Sequence, residues 1–115
     1  YMNEIDIRPW GKYEILLDEE NTKVKKISVN PGQKLSYQSH QKRQELWVVV
    51  KGSLSITIDD NDHKISYGEM ILIPLGSKHR AYNETDKVVE FIEVQTGEYF
   101  GEEELTRYKD DYGRK

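Results

Sequence analysis

A chain of 115 residues with 36% hydrophobic and 33% charged residues can bury one core, and it is too apolar to be disordered. Its net charge of −4 argues against a general nucleic-acid binder, and the lack of cysteine rules out disulfides and thiolate metal sites. No apolar run reaches membrane-spanning length and no signal-peptide pattern opens the chain. One domain over residues 1–115 is therefore expected, cytoplasmic, with neither membrane nor nucleic acid as partner.

The opening is polar and tightens at Arg8-Pro9-Trp10-Gly11, a turn whose Trp10 is expected to plug an edge of the core. Tyr13 to Leu17 reads as a first strand. Thr22 to Asn30 reads as a second, with Ile27 and Val29 on one face and Lys26 and Ser28 on the other. Asn30-Pro31-Gly32 ends it. Leu35 to His40 is the next strand, Gln41 to Gln44 a polar connection, and Glu45 to Lys51 an almost continuous apolar run expected to be buried on both faces. Ser53 to Asp59 alternates cleanly and ends in the hairpin tip Asp59-Asp60-Asn61-Asp62. Met70 to Ile73 stops at Pro74, and His79 to Tyr82 and Val88 to Gln95 close the set. Short strands punctuated by Gly, Pro and Asn/Asp predict an all-β sandwich or barrel. The acidic Glu102 to Glu104 after Gly101 predicts a short C-terminal helix over Glu102 to Tyr108.

Two stretches carry candidate chemistry. In the first, Gln38 and His40 sit two apart, on one face of a strand, and Glu45 opens the next strand. In the second, His79 follows the Pro74-x-Gly76 turn. Imidazole, carboxylate and amide oxygen form a mixed donor set suited to a divalent first-row ion, with positions left open for water or substrate. His63, beside a hairpin tip, reads as a surface residue. Trp47 and the valines after it read as core. Lys42 and Arg43 lie in the polar connection, either as a solvated pair or as cations at the mouth of a barrel.

The spacings Gly32-x5-Gln38-x-His40-x4-Glu45-x6-Gly52 and Gly68-x5-Pro74-x-Gly76-x2-His79-x3-Asn83 resemble the paired motifs of the cupin superfamily, with Gln in place of the usual first His. That resemblance implies a small antiparallel jelly-roll barrel, the double-stranded β-helix. From Arg8 to Arg114 the chain also resembles the C-terminal domain of type II mannose-6-phosphate isomerases, often fused to a mannose-1-phosphate guanylyltransferase. The matching stretches include Arg8-Pro-Trp-Gly, KVKKISVNPGQKLSYQSHQKRQELWVVVKG, GEMILIPLGSKHR and the terminal Asp-Asp-Tyr-Gly-Arg.

The resemblance implies a metal centre of Gln38, His40, Glu45 and His79, zinc first, with manganese, cobalt, iron or nickel as alternatives. It makes Arg43 the arginine tied to isomerase activity. The proton carrier stays open between Lys42, an ion-bound water and an unassigned group. The family commonly has a His-rich run after Gln-x-His and a His before the Trp, where this chain has Gln41, Lys42 and Leu46. The implied activity is interconversion of mannose 6-phosphate and fructose 6-phosphate. The alternatives are an isomerase or epimerase of another phosphorylated or nucleotide-linked sugar, and a sugar-binding module beside a separate nucleotidyltransferase. No Gly-rich nucleotide loop is present. A homodimer is expected, through Arg8–Tyr13 or the aromatic tail of Tyr99, Phe100, Tyr108 and Tyr112.

Overall fold

The computed structural model describes residues 4–101 and 104–109. Its eleven strands are β1 Ile5–Arg8, β2 Gly11–Asp18, β3 Thr22–Val29, β4 Tyr37–His40, β5 Arg43–Lys51, β6 Ser53–Ile58, β7 Asn61–Ser66, β8 Met70–Ile73, β9 His79–Tyr82, β10 Val89–Gly97 and β11 Leu105–Lys109. They form a six-stranded sheet in the order β1-β2-β3-β10-β5-β8 and a five-stranded sheet in the order β11-β4-β9-β6-β7. Every described strand pairing is antiparallel. The all-β architecture is the one expected. No helix among the described residues is long and apolar enough to cross a membrane.

The core lies between the sheets and holds Trp10, Trp47, Phe91, Leu54, Ile56, Ile27 and Ile73. Each such side chain contributes roughly 1.5–3 kcal/mol by leaving water. Tight turns set the strand order. Asp59 and Asp60 adopt positive φ at the β6–β7 tip, a conformation that short polar side chains tolerate.

Three expectations need correction. The polar opening contains a strand, β1, whose pairing with β2 places Asp6 opposite Tyr13. The run from Glu45 to Lys51 is not buried on both faces. Arg43, Glu45, Trp47 and Val49 point inward, whereas Leu46 and Val48 are half-buried and Val50 is exposed. With one face packed and one open, β5 follows the two-residue period of an antiparallel sheet.

The third correction is the short C-terminal helix over Glu102 to Tyr108. Glu102 and Glu103 lie outside the described residues, and Leu105–Lys109 is a strand, β11. Leu105 pairs with His40, Thr106 with Ser39 and Arg107 with Gln38, so β11 covers an edge of β4 that would otherwise expose its backbone groups. Sheet pairing overrides the local helical signal of the acidic residues. The Asp-Asp-Tyr-Gly-Arg signature and Tyr112 also lie outside the described residues.

Candidate metal centre

The turn chemistry read from the sequence delivers the site. Gly76 takes a φ of 78°, a conformation that costs glycine little, within the turn from Pro74 that leads into β9 and His79. Opposite it, β4 carries Gln38 and His40, and Gln38 is in register with His79. From the other sheet, β5 brings Glu45 across the core, in register with Gln95 of β10.

His40, Glu45 and His79 converge, each offering a ligand atom within 4.8 Å of the others, and all three are buried. His79 Nδ1 donates to the Ser77 carbonyl at 3.0 Å. Its bare Nε2 is therefore buried with no hydrogen-bond partner, 3.8 Å from Glu45 Oε1. His40 presents Nε2 inward, 3.5 Å from Glu45 Oε2, and turns Nδ1 toward Glu104 Oε2 at 3.7 Å. His79 Nε2, buried and without a partner beside the Glu45 carboxylate, is a free ligand atom, and two imidazoles with one carboxylate are a donor set that fits a divalent ion. This cluster could bind a metal.

Gln38 reaches the same place with its amide nitrogen, 3.3 Å from His40 Nε2, while its Oε1 accepts from Ser36 Oγ at 2.8 Å. The oxygen expected to face an ion thus faces Ser36. Reversal of the amide about its last torsion exchanges the two atoms.

Arg43 is no solvated loop residue. It opens β5, is 3% exposed and directs its guanidinium at the cluster and at the Phe100 carbonyl. Nε donates to Glu45 Oε2 at 3.0 Å, Nη2 to His40 Nε2 at 3.0 Å, and Nη1 to the Phe100 carbonyl at 3.2 Å. Lys42, one residue earlier, is exposed, with Nζ 5.8 Å from the centroid of the Tyr99 ring. Strand parity separates the pair: the structure brings Arg43 to the cluster and leaves Lys42 outside it. Trp47 is core, as read, and its Nε1 donates to Glu45 Oε1 at 2.9 Å.

Burial pushes the His40 pKa down to about 2, helped by the positive charge of Arg43 beside it. Burial likewise lowers that of His79, against the raising effect of the Ser77 hydrogen bond. Both imidazoles are thus held neutral, the form that binds metal.

Beside the cluster is a cavity of about 130 Å³ whose wall includes Gln38 and Arg43. Sequence reading missed several of its other residues: Arg8, Lys25, Glu93 and Arg107. Glu93 is buried and accepts from Gln95 Nε2 at 2.5 Å. Burial, then the nearby Glu45 charge, pushes its pKa up to about 7. The signal for Lys25 and Glu93 was parity. Lys25 shares the inward face of Ile27 and Val29, and Glu93 that of Val89 and Phe91. Nearby, Arg80 donates to the Leu35 carbonyl at 2.7 Å and Lys78 lies 4.6 Å from the Tyr108 ring centroid.

Two facing antiparallel sheets with a His/Glu/His cluster between them define a cupin, a double-stranded β-helix barrel. Solved structures agree on that fold. A double-stranded β-helix protein from Klebsiella pneumoniae superposes with a TM-score of 0.74 at 18% identity, covering 84% of this chain and 83% of that one. Oxalate decarboxylase from Bacillus subtilis superposes with a TM-score of 0.80 at 18% identity over 91% of this chain and 30% of that one.

Residues 2–110 match the model of the family described as mannose-6-phosphate isomerase C-terminal, and the chain belongs to that family. Curated relatives include a mannose-1-phosphate guanylyltransferase of Salmonella montevideo, 41% identical over 107 residues, 93% of this chain and 23% of the relative. The alginate biosynthesis protein AlgA of Pseudomonas syringae pv. tomato is 41% identical over 113 residues, 97% of this chain and 23% of the relative. The chain thus spans less than a quarter of the length of these relatives.

Proposed function

We propose that this domain is a metal-dependent aldose–ketose isomerase that interconverts mannose 6-phosphate and fructose 6-phosphate. The observation that carries the reading is the buried His40–Glu45–His79 cluster, with Arg43 bonded to two of its members at the wall of a cation-lined cavity. Membership of the isomerase family supports it. His40, Glu45 and His79 would hold the ion, with the Gln38 amide beside them; zinc is proposed first, and the donor set also accepts manganese, cobalt, iron or nickel. When bound, a divalent ion supplies Lewis acidity toward the substrate's oxygens.

The reaction moves a proton between C1 and C2 of an open-chain sugar through an enediol. Arg43 keeps a buried positive charge where the enediol oxygens carry negative charge, and its planar fork suits that task. Glu93 is a carboxyl group in the cavity wall, and on this reading it takes the proton from one carbon and returns it to the other. On this reading it fills the role left open between Lys42, an ion-bound water and an unassigned group. Exclusion of water by the surrounding core strengthens both interactions.

The test is incubation of the purified chain, loaded with divalent metal, with mannose 6-phosphate and coupled detection of fructose 6-phosphate. Product formation abolished by a chelator and restored by metal is expected. Complete absence of product at full metal occupancy overturns the reading. A second reading has its own support: the curated relatives named as guanylyltransferases are about four times longer than this stretch. On that reading the domain binds sugar beside a nucleotidyltransferase, and the same samples would bind mannose 6-phosphate without converting it. A homodimer is part of the proposal, on the exposure of Tyr99 and Tyr108 at 42% and 45%. Equilibrium sedimentation reads it directly, and a monomer mass at micromolar concentration refutes it.

A further inference from the structure

The last described strand, β11, pairs with β4, the strand that carries Gln38 and His40. Leu105 is in register with His40 and Arg107 with Gln38, and both line the cavity beside the cluster. Glu104, the residue before this strand, turns its side chain into the same contact. Its Oε1 accepts the backbone amide of Gln41 at 2.6 Å, and its Oε2 lies 3.7 Å from His40 Nδ1. Neither His40 Nδ1 nor Glu104 Oε2 has a hydrogen-bond partner, although the two side chains are only 2% and 9% exposed.

The ring proton of His40 is fixed from the other side of the imidazole. Arg43 Nη2 lies 3.0 Å from His40 Nε2, and a guanidinium has only donors to offer. Nε2 is therefore the acceptor, and the proton sits on Nδ1, facing the Glu104 carboxyl. A buried N–H without an acceptor thus meets a buried carboxyl oxygen without a donor, across a gap roughly 0.7 Å longer than a hydrogen bond. The other ligand histidine shows the closed form of this arrangement. His79 Nδ1 donates to the Ser77 carbonyl at 3.0 Å and leaves Nε2 bare.

We propose that Glu104 is a positioning residue of the metal centre: it accepts the Nδ1 proton of His40, keeps Nε2 as the ligand atom and couples the docking of β11 to metal binding. This assignment rests on the metal centre of the proposed function and is independent of the substrate. Nδ1–H becomes a stronger donor once Nε2 ligates an ion, so the Glu104 carboxyl gains by closing on it. A docked carboxylate in turn raises the basicity of Nε2. Thr106, Tyr108 and Lys109 of β11 are exposed, so the strand is held by few buried contacts and its docking is open to such a bias. The two effects are one coupling free energy, and each alters the other by the same factor. Because Leu105 and Arg107 move with the strand, metal binding also steadies that part of the cavity wall.

The experiment titrates the metal-free full chain with zinc ion and no substrate. Calorimetry against a competing chelator reads affinity, proton NMR follows His40 Nδ1–H, and hydrogen exchange reads the amides of Leu105, Thr106 and Arg107. Glu104→Gln keeps a carbonyl oxygen for the Gln41 amide but turns an NH2 group toward His40 Nδ1–H, donor against donor. It should weaken zinc binding by about ten- to a hundredfold. Glu98→Gln, which removes an exposed carboxylate, should leave the affinity unchanged. In the wild type, zinc should slow exchange of the three β11 amides and move the Nδ1 proton further downfield than it does in Glu104→Gln.

Wild-type zinc affinity in Glu104→Gln overturns the coupling. Should that variant release β11 altogether, the wild type decides alone: exchange of the β11 amides that ignores zinc also overturns it. The readings fail separately. Tight zinc binding that is indifferent to Glu104 spares the metal centre and removes the positioning role. No zinc binding by the wild type removes the metal centre and the role with it. A chain that shows the coupling but forms no fructose 6-phosphate keeps Glu104 in its role and removes the isomerase.

Discussion

Arg43 joins Glu45, His40 and the Phe100 carbonyl, so its replacement tests geometry as well as charge. Arg43→Ala would leave Glu45 buried without its cation, a change that costs about 3–5 kcal/mol when a buried pair is broken. Arg43→Lys is the more informative variant, because it keeps the charge and loses the planar fork. A drop in turnover of about ten- to a hundredfold is expected with the melting transition retained. Undiminished turnover in Arg43→Lys would remove the enediol role. At the cluster itself, Glu45 is the one carboxylate of the three converging ligands. Glu45→Gln should therefore weaken metal binding more than Gln38→Glu, which adds a charge beside His40; metal titration of the metal-free chain at neutral pH checks the order. The ligand positions were legible because their spacing is tied to turns, as His79 is to Gly76. Lys25, Glu93 and Arg107 were not read, since charged residues usually face solvent. Their strand parity with Ile27, Phe91 and Leu105 only gains meaning once the sheets are stacked.

Element boundaries explain why Arg43 is seated so tightly. Gly97 ends β10 in register with Arg43 at a φ of 154°, and a Cβ there would collide with the carbonyl oxygen of Lys42. Gly97→Ala should therefore push β5 and β10 apart at the site and destabilise the fold by about 1–3 kcal/mol, measured by denaturant melts. An unchanged melt would mean that the strands part there without cost. The turns and central strands were readable from alternation and from Gly, Pro and Asp punctuation. β11 was not, because Glu104 after Gly101 satisfies a helix-start pattern while its actual work is tertiary. Its Oε1 accepts the Gln41 amide at 2.6 Å and its Oε2 faces His40. β1 was missed for a related reason. Ile5 and Ile7 are 50% and 75% exposed, so this strand is held by pairing with β2 and lacks an apolar pattern of burial.

For the whole molecule, the buried titratable groups set how metal-free stability follows pH. His40, lowered to about 2, and His79, also lowered, stay neutral in the folded chain while an unfolded histidine takes a proton below about pH 6.5. Their contribution is full above pH 6.5 and is lost as the pH falls. Glu93, raised to about 7, keeps in the folded chain a proton that the unfolded chain releases from about pH 4.5 upward, so its contribution falls as the pH rises from 4.5 to 7. Two histidines oppose one glutamate between those limits. The metal-free chain should therefore gain stability as the pH rises from 5, less steeply towards 6.5, and level off near pH 7. A melting temperature that falls over that range would show that the imidazoles are protonated in the folded state.

Under the proposed function, a metal held among His40, Glu45 and His79 would give this fold isomerase activity. The most direct measurement follows mannose 6-phosphate by NMR in deuterated water, with the metal-free chain, the same sample after one equivalent of divalent ion, and His79→Ala treated identically. The account predicts fructose 6-phosphate and deuterium entry at the exchanging carbon in the metal-loaded wild type alone. Equal conversion by the metal-free chain or by His79→Ala, or no conversion by the metal-loaded wild type, would contradict it.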